Sequence, residues 1–184
     1  MPKILKRVLI AFGLVIIVLA AAWLWLIYEV TNAPLPPHLA QLTAIEAKRE
    51  DGSKTLLGAD IRAGLPTLLV MWASWCGPCQ AEAPIIAELR HRLGPDKLNL
   101  VYLNIEGGGV QTPKEIADFR AKGKVSDIPY LSVGFDGYSR ISGSSVVAIP
   151  RDYLFDKTGK PVRVWSGMSD DTKGELTNSI RALQ

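Results

Sequence analysis

The order of apolar and polar positions divides the chain into stretches of different character. Val8 to Tyr28 is an unbroken uncharged run of 21 positions. At about 1.5 Å rise per residue, a helix of that length spans roughly 30 Å, the thickness of a bilayer's hydrocarbon core. It is apolar on every side and has no polar face to turn to water, which argues against a core helix of a soluble domain. Thr31 to His38, Thr-Asn-Ala-Pro-Leu-Pro-Pro-His, reads as a stiff extended spacer, because proline fixes φ and favours polyproline geometry. The pattern predicts a basic N-terminus at 1–7, an anchor at 8–28, a Pro-rich linker at 29–38 and a soluble domain at 39–184.

The soluble part alternates between the periods of strands and helices. Leu56 and Leu57, followed by Asp60 to Gly64, read as a short strand and a turn. Thr67 to Ala73 is a continuous apolar run of strand length, as expected of a central strand buried on both faces. A helix is predicted over Gly77–Leu93, with Ile85, Ile86, Leu89 and Leu93 at helical spacing, Gly94-Pro95 as its stop and a kink at Pro84. Leu98–Ile105 is the next strand, followed by a glycine triplet at 107–109 that reads as a surface loop. A helix follows over Pro113–Lys122, with Thr112 as its cap. Tyr130–Val133 is a short strand and Asp136–Ile141 a helical turn. Asp152–Phe155 and Val162–Trp165 form a hairpin, and Asp170–Leu183 is a last amphipathic helix. This order predicts an α/β fold, a mixed sheet with a parallel first part and helices on both faces.

Composition sharpens the first stretch more than the second. Of the 21 Lys and Arg in 184 residues, Lys3, Lys6 and Arg7 precede the apolar run, and the remainder balances at 18 basic and 18 acidic residues. Nucleic-acid partners are therefore not expected, since they need clustered positive charge. The basic N-terminus predicts, by the positive-inside bias, that it stays in the cytoplasm and the rest crosses the membrane. Trp23, Trp25 and Tyr28 suit the far interface. Ala20-Ala21-Ala22 resembles a cleavage site, but six further apolar residues follow it, too long a run for an ordinary signal peptide.

The candidate chemistry is Trp75-Cys76-Gly77-Pro78-Cys79, at the junction of the buried strand and the following helix. Cysteines at i and i+3 on a first helical turn bring their sulfurs within bonding distance. Unpaired N–H groups and the positive end of the helix dipole there favour a thiolate. Cys76 is the expected attacking thiolate and Cys79 the resolving thiol. A structural staple is a poor reading, because so short a loop removes little unfolded-state entropy. A zinc site is also poor, because no second ligand pair accompanies the cysteines: His38 is in the spacer and His91 lies about four turns along the helix. No metal or other cofactor is expected.

This pentapeptide, after Thr67-Leu-Leu-Val-Met-Trp-Ala-Ser74, resembles the signature of the thioredoxin superfamily. With the apolar N-terminal run, the soluble part is similar to the TlpA/ResA group of membrane-anchored thiol:disulfide oxidoreductases. The resemblance implies a thioredoxin fold with an N-terminal β-hairpin before Leu65 and a central insertion near Gln111–Gly123. It implies a cis-proline at Ile149-Pro150 beside the cysteines, with Trp75, Pro78, Ile149 and Pro150 receiving a partner's backbone. Glu82, three residues after Cys79, matches a glutamate of these families and would carry protons to and from Cys79.

Two departures stand out. The superfamily's buried acid six residues before the first cysteine is Val70 here, so proton transfer by that route is expected to be absent. Arg151 stands where threonine commonly follows the proline, and its charge is expected to stabilise a thiolate or select an acidic partner. The implied activity is reduction of disulfides in extracytoplasmic partner proteins, such as apocytochromes c or copper-handling factors. Electrons would come from a membrane thiol reductase. A disulfide-forming oxidase, a thioredoxin-fold copper chaperone and a scaffold without chemistry remain the alternatives.

Overall fold

The computed structural model describes residues 3–31, 34–106, 109–167 and 170–183. The chain divides into two units, Met1–Ala33 and Pro34–Gln184. The first contains one helix, α1 (Lys3–Thr31), which continues three residues past Tyr28. Its stretch Leu9–Tyr28 is long and apolar enough to cross a membrane.

The second unit opens with a single turn, α2 (Leu39–Leu42), whose start is capped by His38 Nδ1 accepting from the Ala40 N–H at 3.3 Å. A hairpin of β1 (Glu46–Arg49) and β2 (Lys54–Leu56) follows. Then come β3 (Thr67–Trp72), α3 (Gly77–Leu93), β4 (Asn99–Ile105), α4 (Pro113–Lys122), β5 (Tyr130–Val133) and α5 (Phe135–Ser142). The chain closes with the hairpin β6 (Arg151–Phe155) and β7 (Pro161–Trp165) and with α6 (Asp170–Ala182). The seven strands form one sheet in the order β2-β1-β5-β4-β3-β6-β7. β3, β4 and β5 run parallel, while β1, β6 and β7 are antiparallel to their neighbours.

All six residues of β3 are buried, because the sheet is covered on both sides. Successive side chains point to opposite faces. Leu68, Val70 and Trp72 join the layer that holds α3, α4 and α6. Leu69 and Met71 join the layer that holds α2 and α5. Trp72 fixes the first layer beneath the cysteines, stacked on Tyr102 at 4.9 Å and on Phe119 at 4.5 Å between ring centroids. Phe119 is delivered by α4, which Thr112 and Glu115 cap reciprocally: Thr112 Oγ1 accepts from the Glu115 N–H, and Glu115 Oε2 from the Thr112 N–H. The helix α3 runs through Pro84 without a break. The expected helical turn at 136–141 is a two-turn helix, α5.

Candidate active site

The last residue of β3 is followed by Ala73, Ser74 and Trp75, and Cys76 is the N-cap of α3. Its backbone is extended, with φ −83° and ψ 103°, and its Sγ accepts from the Cys79 N–H at 3.1 Å. Gly77 and Pro78 occupy the first turn, where proline's missing N–H has no helical acceptor to lose. The last turn carries Arg90 and Arg92, which complement the negative end of the helix dipole, while the first turn carries no acid and leaves its positive end to the Cys76 sulfur. Cys76 and Cys79 form a disulfide, 1.98 Å between sulfurs. Cys76 is 4% exposed and Cys79 1%, so the first sulfur is the one nearer solvent.

The other residues expected here are brought together around that disulfide. The carbonyl oxygen of Ile149 lies 3.6 Å from Cys76 Sγ, and the Ile149–Pro150 peptide bond is cis. Pro150 is buried and Ile149 half-buried, whereas Trp75 and Pro78 are exposed. Glu82 is on the buried face of α3, one turn beyond Cys79.

Two expectations change. Arg151 does not meet the cysteines. Alternation along β6 sends it, with Tyr153, into the layer on the other side of the sheet. It is 1% exposed there, beyond the reach of a partner's surface. Burial pushes the Tyr153 phenol up to about 12, against the opposing effect of the Arg151 charge. The position of Val70 is not without an acid either. Asp152 is its direct ladder partner on β6, fully buried on the cysteine side of the sheet. Burial first, and the neighbouring Glu82 carboxyl second, hold Asp152 well above the ordinary carboxylate range. The sequence signal for this residue was an acid opening an otherwise apolar strand, Asp-Tyr-Leu-Phe.

Gln111 is a second residue that sequence reasoning missed. Its Oε1 accepts from the Ser74 N–H at 2.7 Å and from Asn104 Nδ2 at 2.9 Å, while its Nε2 donates to the Ile105 carbonyl at 2.7 Å. One side chain thus ties the loop after β4 to the segment that carries Trp75 and Cys76. Of the glycine triplet, Gly107 and Gly108 lie outside the described residues. Gly109 is in contact with Trp75: a Cβ there would sit 2.8 Å from the indole Cδ1 and Nε1. A side chain there would force the exposed Trp75 ring to move.

Comparison with known proteins agrees with this geometry. The thioredoxin family profile matches residues 59–145. The chain is 32% identical over 185 aligned positions to the thiol:disulfide interchange protein DsbE of Pseudomonas fluorescens biotype C, covering 97% of each. It is 28% identical over 127 residues to the thiol:disulfide interchange protein HelX of Rhodobacter capsulatus, covering 68% of this chain and 64% of that protein. Among solved structures, MTB DsbF in its mixed oxidised and reduced forms matches with a TM-score of 0.60 at 28% identity, over 79% of this chain and 98% of that one. With the cysteine pair at the strand-to-helix junction and similarity that runs the whole length of a DsbE, the chain belongs to the thiol:disulfide interchange proteins of the thioredoxin fold, and is a thiol–disulfide oxidoreductase.

Proposed function

We propose that this protein is held in the cytoplasmic membrane by α1, with its basic N-terminus inside and its thioredoxin-like domain in the periplasm or equivalent outer space. There it reduces disulfides of partner proteins, of the kind handled in cytochrome c maturation or in assembly of respiratory copper sites. A membrane thiol reductase supplies its electrons. The observation that carries this reading is the placement of Cys76 at the N-cap of α3, more exposed than Cys79 and beside the Ile149 carbonyl.

In this mechanism Cys76 attacks as the thiolate, favoured by the N–H groups and dipole of α3. It forms a mixed disulfide with the partner and releases one partner thiolate. Cys79, deprotonated with help from Glu82, then attacks Cys76 Sγ, closes the internal disulfide and releases the second partner thiolate. Trp75, Pro78 and Ile149 form the surface on which the partner's backbone lies, with Pro150, expected there too, buried behind it; the half-buried Ile149 offers main-chain pairing in the manner of an added strand. An outer compartment favours disulfides, so thiols that must stay reduced there need a dedicated reductant.

The test is a Cys79→Ser variant of the full-length protein. It is expected to accumulate a mixed disulfide between Cys76 and the partner, which mass spectrometry identifies. Equilibration of the wild type with glutathione measures its potential. A value as oxidising as that of a disulfide-forming oxidase would overturn the reductive direction, and reporter fusions that place the C-terminal unit in the cytoplasm would overturn the topology.

A further inference from the structure

The buried acid opposite Val70 has no part in the mechanism as set out above, yet its surroundings are unusual. Asp152 is 0% exposed and Glu82 2%. Asp152 is opposed on one side by Val70 of β3 and on the other by Trp165 of β7. It shares its face of the sheet with Leu154 and with the layer that contains Cys79. No N–H or hydroxyl of a described residue donates to either oxygen of Asp152. The group that meets it is the Glu82 carboxyl. Two carboxylates have no donor between them, so this contact is a hydrogen bond only when one of the two carries a proton. Burying Asp152 as an ion, with no donor to it and a second buried carboxyl against it, is strongly unfavourable. Among the described residues, Tyr102 of β4 also faces the pair. Its phenol is pushed up by burial and by both carboxyls, while Arg120 of α4 acts on it in the opposite direction. From α6 the layer receives the apolar Leu176 and Ile180.

We propose that Glu82 and Asp152 form one proton-holding unit behind the disulfide, and that Asp152, acting through Glu82, sets the pH at which Cys79 can be deprotonated. The proposal rests on the thiol–disulfide exchange reading and deepens it. Asp152 is a positioning residue, and Glu82 is the member within one helical turn of Cys79. At rest the pair holds a single proton and one negative charge. In the resolving step the Cys79 thiol gives its proton to the pair, which becomes neutral. The Cys79 thiolate attacks Cys76 Sγ, the Cys79–Cys76 bond forms and the bond from Cys76 to the partner sulfur breaks. The leaving partner thiolate then recovers a proton from the pair, directly or through water. Two electrons pass from the protein's dithiol to the partner's disulfide, and the pair ends as it began. An acid moved one strand sideways from Val70 thereby restores the route that the sequence at Val70 had closed.

The experiment uses the reduced full-length protein in detergent with 5,5′-dithiobis(2-nitrobenzoate), which releases one coloured thiolate when Cys76 attacks and a second when Cys79 resolves. The pH profile of the second phase is the readout. In Asp152→Asn the shared proton is gone and Glu82 titrates as a single carboxyl rather than as one of a pair, so the midpoint of that profile is expected to move by about one unit or more, with the first phase unchanged. In Glu82→Gln the second phase is expected to slow by about 10²-fold at neutral pH. An infrared spectrum of the wild type at neutral pH, which needs no substitution to fold, is expected to contain a protonated-carboxyl band that Asp152→Asn lacks. A second-phase profile in Asp152→Asn that superimposes on the wild type, or a wild type without that band, overturns the proposal and leaves thiol–disulfide exchange standing. A wild type that releases no thiolate in either phase overturns the underlying reading instead.

Discussion

Replacing Gln111 by alanine tests whether the loop after β4 holds the active-site segment in place. In the native protein its side chain accepts from the Ser74 N–H and from Asn104 Nδ2, and donates to the Ile105 carbonyl. Asn104 is 1% exposed, so its amide has little access to solvent. Removing the acceptor leaves two donors unmatched, each at a cost of about 1–3 kcal/mol when water cannot replace the partner. Gln111 is half-buried, and the gap it leaves opens toward solvent, so water recovers part of this. The lower end of the range therefore applies, and the variant is expected to lose about 2 kcal/mol. For a chain of this size that corresponds to a fall of about 4–8 °C in Tm. The assay is thermal unfolding of the oxidised full-length protein in detergent, followed by near-ultraviolet circular dichroism. A Tm within about 1 °C of the wild type would refute the reasoning, because it would mean that the hydrogen bonds of this side chain carry no net stability.

Two further outcomes follow from the geometry. Gly109→Val places carbon where the Trp75 ring now lies, so the ring must move; Trp75 emission, isolated by comparison with Trp75→Phe, is expected to shift and thiol exchange with a protein disulfide to slow, and an unaltered emission difference would contradict the contact. Asp156 Oδ1 accepts from the Thr158 N–H and hydroxyl and from the Lys160 N–H, which holds its carboxyl below the usual range, the Thr158 hydroxyl contributing most. Its stabilisation of the β6–β7 turn is thus complete above the unfolded carboxylate range and is lost as pH falls through the lowered folded value. Denaturant unfolding between neutral and acidic pH is expected to be less pH-dependent in Asp156→Ala than in the wild type, and identical slopes would count against this.

Local chemistry made the active site legible. A buried apolar run that gives way to Trp-Cys-Gly-Pro-Cys has one consistent reading, because strand period, helix start and cysteine spacing are all short-range properties. Of the hairpin β1–β2, the strand at Leu56 was read from its residues, but β1 was reached only through resemblance. Glu46-Ala-Lys-Arg has no strand pattern, and a single residue of it, Ala47, is buried. What makes it a strand is pairing with β2 and β5, which lies outside the segment itself.

The sequence by itself determined that an apolar N-terminal helix precedes an α/β domain, and which two sulfurs meet at a helix start. These follow from periodicity and from residues three apart. Only the tertiary structure decided that Asp152 stands opposite Val70, that Arg151 turns away from the cysteines, and that Gln111 and Gly109 close over Ser74 and Trp75. Each depends on strand register or on the return of a loop from far along the chain. A shift of one residue in the β3–β6 ladder would exchange the faces of Arg151 and Asp152, and no local pattern fixes that register.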